Sequence, residues 1–245
     1  MVIKANETMS VAVLTANSAN INYPVSNILH SSRTKVFKTV ALTTTATIVF
    51  DCLAAVTCNS IDIDNHNISS GATIKWQGNA TDAWGAPSVD EELTWSADII
   101  NKDFTGGSYR YWRLHIVDAG NTDTFIKLGR VFGASSYTTP GLAQIFGDSI
   151  IDNSVYTEAA GGTTYGDIRY FREDISVKWN KILTAERATM KAQFLLMTAP
   201  HFITFDESVI PIGTLYVTKA IEGLHFNLLR NSAYWETAMQ YKQEK

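Results

Sequence analysis

Residues 109–134 constrain the fold of this chain more than any other segment. Side chains alternate between two faces in residues 109–117, and a period of two is typical of a β-strand with one buried face. Residues 119–123, Ala-Gly-Asn-Thr-Asp, then favour a turn, because Gly and Asn tolerate positive φ and Asn and Asp bond their own backbone. Residues 125–132 return as a second strand. The segment therefore predicts two strands joined by a polar turn.

Four further strands are predicted upstream of this segment, where β-branched and aromatic residues recur. They lie at residues 35–39, 45–51, 59–66 and 71–76. In the third of them the alternation places Ile61 and Ile63 inward and Asp62 and Asp64 outward. Residues 77–94 are rich in Gly, Asn, Asp and Pro and predict a long loop, and long loops on rigid scaffolds often hold binding sites.

The second half predicts another β-domain, with one helix at about residues 184–198. Thr184 is a suitable N-cap, Glu186 lies in the first turn, and Pro200 stops the helix. Apolar residues at helical spacing predict its buried face: Ala188, Ala192, Leu195 and Ala199. Strands are predicted before the helix at residues 168–179 and after it at residues 201–206, 214–219, 224–229 and 232–242.

Two motifs of the first half resemble the discoidin-like, galactose-binding-type jelly rolls. Tyr-Trp-Arg-Leu at residues 111–114, followed by Gly-Arg-Val-Phe-Gly at residues 129–133, is similar to the closing strands of that family. Tyr-Pro-Val-Ser-Asn-Ile-Leu at residues 23–29 resembles the loop before its first core strand. The resemblance implies a jelly-roll β-sandwich over residues 1–135, of a kind found in secreted lectins and in phage structural proteins.

The second predicted domain, residues 136–245, resembles the sandwich-plus-helix modules of phage tail-tube proteins and of the belt domain of distal tail proteins. The resemblance is one of pattern and covers about residues 141–245. The two domains stand in the reverse of the order found in the best-known distal tail proteins. The resemblance implies a structural virion protein that forms a homo-oligomeric ring of six copies. It also implies the partners of that ring, which are the tail tube protein and the hub proteins of the tail tip or baseplate.

Composition and charge exclude several classes of function. The net charge is −4 and no basic cluster is present, so nucleic-acid binding is not expected. No apolar run reaches the roughly 20 residues of a membrane-spanning helix. The N-terminus lacks the pattern of a signal peptide, so we expect synthesis in a host cytoplasm without export. In a reducing compartment Cys52 and Cys58 are expected to be free, structural thiols.

No catalytic signature stands out, and we predict that the chain is not an enzyme. A nucleophile–base pair of Cys58 and His66 is one alternative, but it has no local motif. The other alternative is a pair of carboxylates suited to glycoside hydrolysis, at residues 90–92 or 173–174. Against it, consecutive acidic residues on a loop are usually only solvated.

No cofactor is predicted, because the chain has neither zinc-ligand spacing nor a phosphate-binding glycine loop. Asp62, Asp64 and His66 project from one face of a predicted strand, and oxygen ligands of this kind suit Ca²⁺. The outward polar face of an edge strand explains the same residues without a metal. The sequence leaves both interpretations open.

Carbohydrate binding is the alternative function that the residues themselves support. Aromatic rings stack on the apolar faces of sugars, and acids or amides bind sugar hydroxyls. The candidate residues are Trp76, Trp84, Asp90 and Trp95, in and around the long loop. In the structural interpretation of the same tryptophans, Trp76 and Trp95 belong to the core or its rim and Trp84 anchors the loop.

Arg113 and Arg130 lie in apolar strands, so we expect them to pair with buried acids or backbone carbonyls rather than with a ligand. Together with the two resemblances, these features predict a mainly β structural protein of a phage tail. The resemblances imply that it is a ring-forming distal tail or baseplate component, which joins the tail tube to the tip complex. The alternative prediction is a tail-tip protein that recognises a glycan on the host surface.

Overall fold

The computed structural model describes residues 1–140, 142–152, 154–160, 164–167, 171–205, 214–219, 225–229 and 234–244. The protein is mainly β, as predicted, and its described part contains one α-helix. Contacts divide the chain into two compact units. The N-terminal unit is Lys4–Ser136, and the C-terminal unit consists of Met1–Ile3 and Tyr137–Lys245.

Nine strands lie between residues 2 and 138, with a short 3-10 helix at Val25–Leu29. The strands are β1 (Val2–Glu7), β2 (Val13–Ala16), β3 (Phe37–Lys38), β4 (Thr45–Asp64), β5 (Thr73–Asn79), β6 (Val89–Glu92), β7 (Ile100–Val117), β8 (Lys127–Leu128) and β9 (Arg130–Thr138). The predicted strand at residues 109–117 is thus the second half of the longer β7. The predicted strands at 45–51 and 59–66 are two parts of the single long strand β4.

Strands β4 and β7 organise the N-terminal unit, because each runs through both halves of it. Residues 45–51 of β4 pair antiparallel with residues 111–117 of β7, which in turn pair with β5, and β6 follows on β5. Beyond a bulge, residues 60–63 of β4 pair with residues 100–103 of β7, and β9 lies on the other side of β4. A bulge bends a strand, so one long strand can contribute to both layers of a sandwich.

The two halves of the N-terminal unit face each other across an aromatic core. The rings of Trp76 and Trp112 stack with their centres 5.7 Å apart, and Phe50 meets Trp76 edge-on at 5.4 Å. Gly133 of β9 lies opposite them: a Cβ at this position would come within 2.7 Å of Cγ of Met9 and 3.4 Å of Trp76. The layers are therefore packed so closely that any side chain at this position would require Met9 to move.

Asp62 and Asp64 point away from Ile61 and Ile63, as the alternation predicts, but they do not face solvent. Both carboxylates are buried. The Nζ atom of Lys4, a side chain that is itself fully buried, lies 2.9 Å from Oδ1 of Asp62. The expectation of an outward, solvated polar face was therefore wrong, because this face of the sheet is covered.

Eight strands and the helix α1 (Thr184–Leu196) form the described part of the C-terminal unit. The strands are β10 (Leu142–Asp152), β11 (Val155–Glu158), β12 (Thr164–Asp167), β13 (Phe171–Leu183), β14 (His201–Thr204), β15 (Thr214–Lys219), β16 (His225–Leu228) and β17 (Tyr234–Gln243). Their sheet order is β10-β13-β17-β15-β14, with β16 also on β17 and β11 paired with β12. Residues 168–170, 206, 224, 232 and 233, at the ends of predicted strands, lie outside the described residues.

The helix lies where it was predicted, but it begins and packs differently. Thr184 is its first residue and Leu183 occupies the N-cap, where the backbone N–H of Leu183 donates to Oε2 of Glu186 at 2.7 Å. Met190 is the buried residue of the helix. The residues predicted to form the buried face are exposed: Ala188, Ala192, Leu195 and Ala199. The helical period was right, but the face that packs was assigned to the wrong side.

Candidate functional site

The outer face of strands β5, β6 and β7 brings several polar side chains into one row. Alternation along β5 turns Ile74 and Trp76 into the core and Gln77 outward. The strand register places Gln77 directly opposite Arg113 of β7 on one side and Asp90 of β6 on the other. The row therefore runs from a carboxylate through an amide to a guanidinium.

Gln77 holds the two charged groups in fixed orientations. Only 4% of Gln77 is exposed. Its Oε1 accepts hydrogen bonds from Nε of Arg113 at 2.7 Å and from Nη2 of the same residue. Its Nε2 donates to Oδ1 of Asp90 at 2.9 Å. Because an amide has one accepting and one donating end, the buried side chain keeps the cation and the carboxylate on opposite sides of itself.

The loop between β5 and β6 places Trp84 over this row. The guanidinium carbon of Arg113 lies 4.5 Å from the centre of the indole ring, which is the geometry of a cation–π contact. Nε1 of Trp84 donates to Oδ1 of Asp82 at 2.6 Å. Asn79 at the end of β5 anchors the loop, since its Nδ2 donates to the carbonyl of Ala83 at 2.6 Å. The ring is half-buried and retains accessible surface.

We call the surface formed by Lys75, Gln77, Trp84, Asp90 and Arg113 the polar platform. Nζ of Lys75 donates to Oδ2 of Asp90 at 3.1 Å, and about a third of each of these two side chains is exposed. Within the described residues, Arg113 uses two of its five N–H donors and has no carboxylate within ion-pair distance. The platform therefore keeps hydrogen-bonding capacity that solvent or a ligand can use.

The charges on the platform are tuned by burial and by each other. Burial lowers the pKa of the Arg113 guanidinium, while the charges of Asp90 and Asp82 act in the opposite direction. For Asp90, partial burial acts to raise the pKa, but hydrogen bonds from Gln77 and Lys75 outweigh it and the pKa lies below its usual value. Asp90 is therefore ionised at neutral pH, and the guanidinium of Arg113 keeps its charge because arginine is not deprotonated in proteins.

A second set of polar contacts continues the same sheet face beside the platform. Oγ1 of Thr47 and Nδ1 of His115 are 2.9 Å apart, and burial lowers the pKa of His115, with the charges of Arg113 and Lys75 adding to that effect. The imidazole is therefore neutral at pH 7. Further along, Arg110 binds both carboxylate oxygens of Asp51, at 2.7 and 2.8 Å.

The four predicted site residues do not form one site. Trp76 has no exposed surface and belongs to the core, so its ring cannot meet a ligand. Trp95 packs partly against the core, and its Nε1 donates to the carbonyl of Ile68 at 2.8 Å, which makes it an anchor for the chain after β6. Trp84 and Asp90 both lie on the polar platform.

Gln77, Arg113 and Lys75 are the platform residues that sequence reasoning left out of the site. Arg113 was expected to pair with a buried acid or a carbonyl, whereas its partner is a side-chain amide. Alternation carried a usable signal, because Gln77 lies next to the inward Trp76 and so had to point outward. Arg130 meets its expectation: it pairs with Oε2 of Glu7 at 2.6 Å and donates to the carbonyl of Ile28 at 3.4 Å.

The acidic residues considered for calcium have other partners. Asp62 pairs with Lys4, and Asp64 binds Nε and Nη2 of Arg33 at 2.6 and 2.7 Å. Nδ1 of His66 accepts from the backbone N–H of Ile68 at 3.2 Å. Within the described ranges, no three His, Cys, Asp or Glu side chains group as metal ligands. The structure assigns these residues to contacts within the fold.

The two cysteines are free and buried, as predicted. Burial raises the pKa of Cys52 to about 11 and that of Cys58 to about 12. Neither thiol is ionised at neutral pH, so neither has the thiolate that a nucleophile needs. In the part of the chain that the structure describes, no helix is both long and apolar enough to span a membrane.

No family model and no curated protein matches the chain. Solved structures do match, and the three that follow each cover about half of it. Chitosan-binding module 1 from the chitosanase/glucanase of Paenibacillus sp. IK-5 is 18% identical with a TM-score of 0.45, over 53% of this chain and 98% of that one. A fucose-binding module of Streptococcus pneumoniae is 12% identical with a TM-score of 0.43, over 52% and 94%. The family 32 carbohydrate-binding module of Clostridium perfringens NanJ, in complex with galactose, is 10% identical with a TM-score of 0.43, over 55% and 100%.

Proposed function

We propose that the N-terminal unit is a non-catalytic carbohydrate-binding domain and that the polar platform is its saccharide-binding surface. The observation behind this proposal is the arrangement around Gln77, which holds a guanidinium and a carboxylate in fixed orientations. The guanidinium lies beneath an indole ring that retains accessible surface. Preorganised groups of this kind lose little conformational freedom when a ligand binds.

The chemistry of sugars fits this arrangement. The CH groups on one face of a pyranose pack against an aromatic ring such as that of Trp84. Sugar hydroxyls both donate and accept, so a donor such as Arg113 and an acceptor such as Asp90 can bind one saccharide together. Strand β5, which holds Gln77 and Lys75, is paired on both sides, with β6 and with β7, and this pairing keeps the platform rigid.

A glycan array followed by calorimetry on the intact chain tests this proposal, with the Trp84→Ala variant as the diagnostic change. We expect binding to at least one oligosaccharide, and an affinity loss of tenfold or more in Trp84→Ala, which corresponds to about 1.4 kcal/mol. Trp84→Phe keeps a flat ring and should retain part of the affinity. Prolonged incubation should leave the bound saccharide intact, because the domain is proposed to bind and not to cleave.

Tyr23 provides a matched control outside the platform. It is an exposed aromatic residue that, like Trp84, has a cation over its ring, with Nζ of Lys38 lying 4.4 Å from the ring centre. Tyr23→Ala should leave saccharide affinity unchanged. Absence of binding to any saccharide, equal losses in Tyr23→Ala and Trp84→Ala, or release of shorter products would each contradict the proposal.

Self-assembly is the second candidate function. Copies of this chain would form the ring of the predicted tail or baseplate component. Strand β10 ends the described order of the C-terminal sheet and, within the described residues, pairs with β13 alone. It is 11 residues long, and Ile150 on it is 71% exposed. Long edge strands with exposed apolar residues offer their backbone to a neighbouring chain.

Native mass spectrometry over a range of protein concentrations tests this second candidate. We expect a closed oligomer that Ile150→Lys weakens. Leu195→Lys is the matched control, because Leu195 is equally exposed but lies on α1. A chain that stays monomeric at every concentration and does not join tail tubes would rule out the ring.

A further inference from the structure

We propose that the saccharide bound at the polar platform is uncharged and presents neighbouring hydroxyl groups, and that Gln77 is the positioning residue for its recognition. This inference rests on the carbohydrate-binding function proposed above and names the class of sugar. It follows from how donors, acceptors and charges are distributed around the amide of Gln77.

The amide separates one donor group from one acceptor group. Arg113 lies on the Oε1 side of Gln77 and Asp90 on its Nε2 side, each within 2.9 Å of the amide. Two neighbouring hydroxyls of a sugar can therefore accept from Arg113 and donate to Asp90 at the same time. A ligand with acceptors alone, such as a carboxylate, would satisfy the first group and leave the second unmatched.

The charge around Arg113 also disfavours an acidic ligand. Asp90 and Asp82 both lie close enough to act on its guanidinium. Asp82 is held beside the platform by its hydrogen bond from Trp84, and Lys75 is already engaged with Asp90. Together with Asp82, the platform holds two carboxylates against the two cations Lys75 and Arg113. An anionic sugar would therefore lose its hydration without meeting a net positive charge, and a desolvated, unmatched charge is how binding sites exclude related ligands.

Gln77 is suited to this role because an amide alone can serve both neighbours. In a Gln77→Glu variant, the new carboxylate still accepts from Arg113 but repels Asp90 and cannot donate to it. When that carboxyl group takes up a proton, it regains a donor for Asp90. The variant therefore links saccharide affinity to pH in a way that a general loss of stability does not.

The first experiment compares sugars that differ only at C6. Trisaccharides of galactose, glucose and mannose are titrated against the intact chain beside the corresponding galacturonic, glucuronic and mannuronic acid trisaccharides. We expect the neutral member of the best-binding pair to bind at least tenfold more tightly than its acidic counterpart.

The second experiment follows the affinity of Gln77→Glu for that neutral trisaccharide between pH 4.5 and pH 7.5. We expect a loss of tenfold or more at pH 7.5 and substantial recovery towards pH 4.5. The native chain should change little over this range, because the pKa of Asp90 lies below its usual value. Gln240→Glu, the same change at an exposed strand residue of the C-terminal unit, should behave like the native chain.

The outcomes separate this inference from the function on which it rests. Failure of every trisaccharide and every array glycan to bind would overturn the carbohydrate-binding function itself. Binding of the acidic trisaccharide as tightly as the neutral one, or full affinity of Gln77→Glu at pH 7.5, would overturn the inference and leave the function standing. Affinity in Gln77→Glu that is lost equally at all pH values would also overturn the positioning role.

Discussion

The N-terminal unit places charged side chains on its sheet faces in two ways, and the contrast explains what each arrangement does. On the polar platform, Lys75 and Asp90 are paired at 3.1 Å while about a third of each side chain meets solvent. Between β1 and β4, Lys4 and Asp62 are paired at 2.9 Å with no exposed surface at all. The residue types and the distances are similar, and burial alone separates them.

Burial changes the energetics of an ion pair more than its geometry does. A buried charge has lost its hydration, so it depends on its partner, and removing that partner leaves a strongly destabilising group. An exposed charge keeps water as an alternative partner, so it can exchange water for a ligand. The buried pair is therefore bound to the fold, whereas the exposed groups of the platform remain available for recognition.

Replacing Lys4 and Lys75 in turn tests this contrast. Of the predicted effects on stability, the loss of unfolding free energy in the Lys4 variant is the largest. Lys4→Met leaves the Asp62 carboxylate buried without its cation, so we expect the free energy of unfolding to fall by about 3–5 kcal/mol. Lys75→Met breaks the exposed pair and should change it by less than about 1 kcal/mol. Urea titrations of both variants at pH 7.5 measure the difference. Equal losses in the two variants would contradict the contrast.

The pH dependence of stability has a smaller expected effect and tests the same buried pair. Burial raises the pKa of Asp62 from 3.8 to about 6, and the nearby charge of Lys4 offsets only part of this shift. Between these two values the folded chain holds a proton that the unfolded chain has released. The contribution of Asp62 to stability is therefore full below about pH 4 and is lost as the pH rises through about 6, a change on the order of 3 kcal/mol.

Asp62→Asn provides the reference for that measurement. Unfolding free energies of both chains are compared between pH 4 and pH 7.5, and the native chain should lose stability relative to the variant as the pH rises. Asp90→Asn on the platform should show no such fall, because the pKa of Asp90 is shifted down and not up. A native chain that gains stability relative to Asp62→Asn over this range would show that the carboxylate is not destabilised by burial.

Much of the local structure could be predicted from the residue pattern. The alternation in residues 109–117 predicted a strand with one buried face, and Trp112, Leu114 and Ile116 on one face of it are fully buried. The helix was placed correctly because its residues favour that conformation and Pro200 cannot continue it. The face of the helix that packs was not predicted correctly, since a helix of mixed composition can present more than one side to a sheet. Which side packs decides that Met190 is buried and Leu195 is exposed.

The candidate site was predicted only in part, because the contacts that form it join residues of different strands. Trp84 and Asp90 were recognised because aromatic and acidic residues stand out in a long loop. Trp76 was included wrongly, although its spacing from Ile74 indicated the inward face of β5. The contacts of Gln77 with Arg113 and Asp90 join residues 36 and 13 positions away in the sequence, and only the strand register brings them together.

The sequence by itself determined where the strands and the helix lie, which side chains share a strand face, and that the two cysteines serve the core. These properties depend on backbone geometry and composition within one segment. The tertiary structure alone decided which sheet faces meet solvent and which residues of different strands stand opposite each other. Burial and register depend on what packs over and beside a strand. Asp62 is therefore held in an ion pair with no exposed surface, while the side chain of Asp90 keeps part of its surface in contact with solvent.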